Sequence, residues 1–311
     1  MTVRVVESRR WARIPRGFSP TPVSGVRPCS SPPCSPPPSP PSSQCRVPIP
    51  SSRVRTRIRA RPSSGIVAPR LTPPRTPWPR SGSDSSRAPM RSKATSGSPK
   101  DGRIVAMHDR DLARTTGDPR KVADVTLEDI RPLDAGSWGR WKDRGFADER
   151  VPTLEEVLAI VPTGRGVLIE IKDSPRIVEA LVEALETSSL TADQVTVISF
   201  DAGVIESLKR SAPRWKAFWL TSFKERDGVW RPTVDEVIKT ARRIKADGVD
   251  VRAEPAVVNE TFAGAVRDAA LELHVWTVND PGLARRMAEI GVDSITTDRP
   301  AEIREALRSA P

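Results

Sequence analysis

The chain has 311 residues and a formal charge of +11, long enough for one large domain or two ordinary ones, with a basic excess that raises a nucleic-acid or anionic-surface reading. That excess is local: residues 1–100 hold 19 of the 50 Lys and Arg and only two acids, Glu7 and Asp84, while the rest carry 31 basic and 37 acidic side chains. A mildly acidic domain thus follows a strongly basic leader, and no run of about 20 apolar residues is present to cross a bilayer as a helix.

The leader, residues 1–99, holds 21 of the 32 prolines and all three cysteines, Cys29, Cys34 and Cys45. So much Pro, Ser and Arg with so little apolar periodicity cannot bury enough surface to offset ordering entropy, so disorder is expected here. The cysteine spacings match no zinc pattern, and an odd number makes no closed disulfide framework. Arg and Ser richness imitates a transit peptide, but the amphipathic helical pattern is missing and no signal-peptide core stands near Met1, so a cytoplasmic location is expected. The leader's aromatics, Trp11, Phe18 and Trp78, are widely spread. Polyelectrolyte attraction would therefore be salt-sensitive and unspecific, and no specific nucleic-acid partner is expected.

After Lys100 short apolar runs alternate with amphipathic segments. The runs are 102–109 (GRIVAMHD), 166–173 (GVLIEIKD), 194–201 (QVTVISFD), 216–222 (KAFWLTS), 247–254 (DGVDVRAE), 273–280 (LHVWTVND) and 293–300 (DSITTDRP). Their Val and Ile content and their Gly, Asp or Pro boundaries predict buried parallel strands. Helices are predicted over 174–188, 201–213, 233–246 and 280–291, with capping residues at their starts and Pro213 or Gly291 as stops. This alternation means α/β, and the number of repeats favours a (β/α)8 barrel, although periodicity alone does not exclude an open sheet.

Barrel enzymes do their chemistry where strands run into loops at the C-terminal face. Four runs end there in polar or aromatic groups: Met107-His108-Asp109, Glu170-Ile171-Lys172-Asp173, Ser199-Phe200-Asp201 and Val275-Trp276-Thr277-Val278-Asn279. Alternation sends Glu170 and Lys172 to one side of their strand, where they could equally be a structural ion pair. Taken alone, His108 is as well read as a hydrogen-bonded structural histidine and Trp276 as core. His274 is expected to point away from Trp276 and to be structural.

The order of the pieces is more specific. KDGRIVAMHDRDLARTTGDPRKVADVTLEDIRPLDAGSW, then VPTLEEVL, LIEIK, VWTVND and GVDSITTDRP, resembles the glycerophosphodiester phosphodiesterase family from about Lys100 to Pro300. The resemblance implies a TIM-type barrel over 100–311 that hydrolyses small glycerophosphodiesters to sn-glycerol 3-phosphate and an alcohol. It also implies an acid–base histidine pair, of which His108 is one, with Glu170 as a metal ligand, Lys172 as a phosphate-neutralising cation and Trp276 as the wall for the glycerol part. An all-oxygen ligand set suits Mg²⁺ or Ca²⁺. The family's opening His-Arg-Gly strand, Pro-Glu-Asn-Thr helix start and Glu-x-Asp strand are absent between Met1 and Lys100, so the barrel is expected to be incomplete, open-edged and poorly soluble, with half its metal shell missing.

Codons built from the third base of one codon and the first two of the next can spell HRGASAYAPENTLAAF across Gly65 to Ser81 and GADAVEGDV across Arg87 to Ser96. We infer a one-base slip near codon 100, with residues 1–99 largely a wrong-frame translation. Two other readings stand beside this one: a non-catalytic barrel whose basic leader binds nucleic acid or anionic membrane, and another barrel phosphodiesterase of the phospholipase type. The sequence carries no signal of oligomeric state.

Overall fold

A computed structural model describes residues 4–7, 91–143 and 145–308. Eleven strands occur among them: β1 Arg4–Glu7, β2 Arg91–Gly97, β3 Val105–Ala106, β4 Gly166–Ile171, β5 Val195–Ser199, β6 Lys216–Thr221, β7 Lys224–Arg226, β8 Val229–Arg231, β9 Gly248–Arg252, β10 Glu272–Trp276 and β11 Ser294–Thr297. The helices are α1 Ala113–Thr116, α2 Leu127–Ile130, α3 Leu154–Ala159, α4 Val178–Thr187, α5 Ala202–Ser211, α6 Val234–Arg243, α7 Glu260–Asp268, α8 Pro281–Glu289 and α9 Pro300–Arg308. None of them is long and apolar enough to cross a membrane.

The main sheet runs β1-β11-β10-β9-β6-β5-β4-β2, all neighbours parallel, with β3 antiparallel on β2. Val6 pairs with Arg91 and Glu7 with Ser92, which joins the sheet end to end as a barrel. The barrel type is the one expected. No described strand carries the family's opening motifs, but Arg4–Glu7 and Arg91–Gly97 take the places of the first strands, so the expectation of an open sheet edge is corrected. The rest of the stretch expected to be a disordered leader, cysteines included, lies outside the described residues.

Alternation along each strand feeds two cores. On β4, Val167, Ile169 and Ile171 pack outward with the helices, while Leu168 joins Ile198, Phe218 and Leu220 inside the barrel. The helices start where short polar side chains accept the first free backbone N–H groups: Thr153 caps α3, Asp201 α5, Thr233 α6 and Asp280 α8. Thr153 and Thr233 complete capping boxes with Glu156 and Glu236.

Two elements differ from expectation. The run 102–109 is not a barrel strand: only Val105 and Ala106 are extended, and Leu154 and Ala106 donate to the carbonyls of Ile104 and Pro152. These contacts tie the run to the 152–154 segment, and a second small core of Val105, Met107, Leu112, Val122, Val125, Ile130 and Val151 forms beside the barrel. The β7–β8 hairpin was not expected, although Asp227-Gly228 signals it; both residues have positive φ (52° and 76°), as a two-residue hairpin turn of matching twist requires.

At the N-terminal end of the barrel, Gly248 on β9 stands between Phe218 and Glu272, and a Cβ there would lie 2.5 Å from the Glu272 carbonyl oxygen. The missing side chain lets Lys216 reach across β9 to the Glu272 carboxylate, which also faces His274 Nε2 at 3.6 Å. Burial pushes the Glu272 carboxyl up, but the hydrogen bonds from His274 and Lys216 outweigh it and hold the group at about 2, against 4.5 for a free glutamate. A depressed carboxyl contributes stability above its unfolded value and loses it as pH falls through the folded one, here between about 4.5 and about 2. Lys216→Met is expected to raise the acid-unfolding midpoint, read by far-UV circular dichroism; identical midpoints for variant and parent would contradict this.

Candidate active site

Strand β4 brings two charged groups to the barrel mouth. Glu170 follows Leu168 on the inner face and is 3% exposed, flanked in register by Thr95 of β2 and Ile198 of β5. Lys172 continues that face just past the strand end.

His108 arrives from the small lobe. The Ser98 N–H donates to the Asp173 carboxylate at 3.2 Å, and the Lys100 N–H to the Val125 carbonyl at 2.8 Å, fixing the segment that leads to it. Lys172 Nζ lies 2.9 Å from His108 Nε2 and 3.2 Å from the His108 carbonyl oxygen. On the other side of the ring, His108 Nδ1 lies 2.7 Å from Asp109 Oδ1. An ammonium has no lone pair to accept with, and an ionised carboxylate has no proton to donate. Both contacts therefore select one neutral tautomer, with the proton on Nδ1 and the lone pair on Nε2 facing Lys172.

Behind this ring, Arg114 Nε donates to Asp109 Oδ2 at 2.5 Å, and the Arg114 guanidinium lies 4.5 Å from the centre of the Trp138 ring. The Arg114 hydrogen bond is the main reason the Asp109 carboxyl falls to about 2; the His108 contact adds to it, and partial burial opposes both. Asp109 was visible in the sequence beside His108, but Arg114 and Trp138 were missed. The signal available was an Arg five residues after the acid, in the one-turn helix α1 that follows it.

Across the mouth lies an aromatic wall. Trp276 ends β10, packs on the inner cluster of Leu168, Ile198, Phe218 and Leu220, and donates from Nε1 to the Asp250 carbonyl at 3.1 Å. Phe200 meets it edge to face, with ring centres 5.7 Å apart, and stays 49% exposed. Trp219 Nε1 donates to the Phe200 carbonyl at 3.2 Å, so residues of β6, β9 and β10 and the end of β5 hold this wall. Asn279 ties the next turn to the end of β11 through Asp298 and Thr297. His274 does not point away from Trp276: residues two apart on a strand share a face, and its ring packs 4.3 Å from Phe218 inside the barrel. It is 4% exposed, consistent with a structural role.

The structure thus joins His108 with Lys172, keeps Glu170 on the same strand face as Lys172, and sets Trp276 on a different strand. Among the described residues no group of three or more His, Cys, Asp or Glu side chains could hold a metal ion. The described donors do not fit the Mg²⁺ or Ca²⁺ shell that the family resemblance implied: Glu170 stands beside Thr95 and Ile198 where further carboxylates would be needed. What remains is a fixed cation, a neutral imidazole whose lone pair faces that cation, and an apolar ring wall, which suit an anionic group attached to a short carbon chain.

Residues 98–302 match the family model described as the glycerophosphoryl diester phosphodiesterase family. The chain is 31% identical over 217 residues to a glycerophosphodiester phosphodiesterase of Caldanaerobacter subterraneus subsp. tengcongensis, covering 67% of this chain and 82% of that one. It is 29% identical over 214 residues to a glycerophosphodiester phosphodiesterase of Bacillus subtilis, covering 65% and 71%. A phosphodiesterase of Oleispira antarctica, solved with the product sn-glycerol-3-phosphate, superimposes with a TM-score of 0.60 at 22% identity, covering 70% of this chain and 85% of that one, a likeness of fold.

The loop that carries Trp138 depends on Gly136, where an added Cβ would sit 1.6 Å from the Phe146 carbonyl oxygen. Gly136→Ala forces the backbone to move and is expected to cost about 1–3 kcal/mol, read by urea denaturation. An unchanged urea midpoint would mean that the loop gives way freely.

Proposed function

The chain belongs to the glycerophosphoryl diester phosphodiesterase family, a family of phosphoric diester hydrolases, and from that premise we propose a glycerophosphodiester site with His108 as its proton-transfer group. The phosphoryl group sits at Lys172 and His108, and the glycerol part rests against Trp276. The observation that carries this reading is the 2.9 Å contact between Lys172 Nζ and His108 Nε2. A phosphoryl oxygen of the singly charged diester entering there takes over the Lys172 ammonium as its partner and releases the Nε2 lone pair to accept a proton from the water whose oxygen bonds to phosphorus. Once protonated on both nitrogens, the same imidazole can return a proton to a leaving alkoxide. The products are sn-glycerol 3-phosphate and the released alcohol.

One histidine performs only one of the two proton transfers at a time, and the other histidine, His274, is enclosed in the barrel. Loss of one member of an acid–base pair costs about 10²–10⁴ in rate, and Glu170 has no carboxylate neighbour in register, so negligible turnover is expected from this chain. We propose that the natural frame supplies what is missing. The overlapping codons that can spell Glu-x-Asp fall between Ser92 and Thr95, within β2, and Thr95 is the register partner of Glu170. In the restored frame those acids would stand beside Glu170 and furnish an oxygen site for Mg²⁺ or Ca²⁺.

Sequencing the coding DNA from codon 60 to codon 105 is expected to reveal one frame-shifting base. The repaired protein should then hydrolyse glycerophosphocholine and lose that activity in a chelator, while the unrepaired chain shows none. Measurable turnover by the unrepaired chain would overturn the inactivity proposal, and an unaltered frame in the DNA would leave a true mutation in place of a sequencing slip.

A further inference from the structure

The two oxygens of Asp109 are both committed. Oδ1 takes the imidazole proton of His108, and Oδ2 takes Nε–H of Arg114, which is itself laid over the Trp138 ring. A carboxylate held at both oxygens cannot rotate, so the direction of the His108 hydrogen bond is set by Arg114 and not by the histidine's own loop. Nothing in the proton-transfer role described above uses Arg114, Asp109 or Trp138. They lie behind the ring as seen from Lys172 and reach the proposed substrate site only through His108.

We propose that Asp109 and Arg114 are positioning residues that hold the His108 imidazole in its Nδ1–H tautomer and aim the Nε2 lone pair at the barrel mouth. The inference rests on His108 being the proton-transfer group, but the arrangement is present in the unliganded chain and can be measured without turnover. If Nδ1 lost its proton to Nε2, that proton would point at the Lys172 ammonium and the bare Nδ1 at the Asp109 carboxylate, two repulsive contacts in place of two attractive ones. Replacing Asp109 by Asn gives a sharper consequence than simple removal. Arg114 still needs an acceptor, so the amide oxygen stays on Arg114 and the amide NH₂ faces Nδ1, which then must accept. The Nδ1–H preference then falls, although the Lys172 ammonium still disfavours a proton on Nε2.

The chain has only two histidines, so imidazole ¹⁵N spectra contain two ring systems, and His274 in the barrel interior serves as an internal control for folding. In the parent chain, at a pH where His108 is neutral, the Nδ1–H form should exceed Nε2–H by roughly tenfold or more, as a charge-assisted hydrogen bond on the carboxylate implies. Asp109→Asn should bring the ratio toward even, and Arg114→Ala should lower it less, both with His274 signals unchanged. A parent chain dominated by Nε2–H, or an Asp109→Asn ratio within about twofold of the parent, would overturn the proposal. If instead the repaired enzyme kept full turnover after His108→Ala, the catalytic reading would fall while the tautomer result stood by itself.

Discussion

The feature on which the rest depends is the inside–outside alternation of a parallel sheet whose two faces are both covered. Every second residue of β4, β5, β6, β9, β10 and β11 is committed to the helix-facing core, where Val, Ile and Leu dominate. The remaining positions must fill a narrow barrel, and there the chain uses Leu168, Ile198, Phe218 and Leu220 together with buried polar groups such as Glu170, Thr196, Asp250, His274 and Ser294. Buried polar groups are tolerated only when they have partners. Glu272 illustrates how that is met: it is pulled between Lys216 and His274 across a glycine that leaves the route open. The same alternation delivers Glu170 and then Lys172 to the mouth without any special loop, which is why the charged end of the site is as rigid as the sheet.

That rule also explains what could be read in advance. Runs such as 166–173 and 194–201 are short, β-branched and cleanly bounded, and they became β4 and β5; helix starts at Asp201, Thr233 and Asp280 were legible because capping is local chemistry. The run at 102–109 misled because an apolar stretch looks the same whether its partner is a barrel strand or a segment fifty residues away, and here its partners are Pro152 and Leu154. Misplacing His274 was an error of parity rather than of information. His108, Glu170, Lys172 and Trp276 could be singled out as strand-end residues, but the contact of His108 with Lys172 spans 64 positions of sequence, and the brace of Arg114 on Trp138 joins helix α1 to a separate turn. Such pairings are set by how the lobe folds over the barrel, and no local pattern encodes them.

The charge order at the site has a physical logic. Lys172, His108, Asp109 and Arg114 alternate cation, neutral ring, anion, cation, so each group is stabilised by the next and the neutral ring is the one that can change state with a small displacement. An incoming anion at the mouth meets Lys172 on the Nε2 side of the ring, whereas Arg114 bonds Asp109 on the Nδ1 side. The exposed position of His108 keeps this competition fast, while the hydrogen bonds of Ser98, Lys100 and Leu154 hold the lobe that carries it.

Fold and chemistry separate most clearly at β2. A parallel ladder is made of backbone N–H and C=O groups, which every residue but proline supplies, so Arg91–Gly97 can lie beside β4 in full register with a sequence of Arg, Ser, Lys, Ala, Thr, Ser and Gly. A divalent-cation shell is made of side-chain oxygens with charge, which that sequence does not contain. A strand of changed sequence therefore keeps its place in the ladder wherever the new residues tolerate extension, while side-chain chemistry at the same positions is replaced. This asymmetry is why a strand can stand beside Glu170 in register while its own sequence offers no carboxylate to that position.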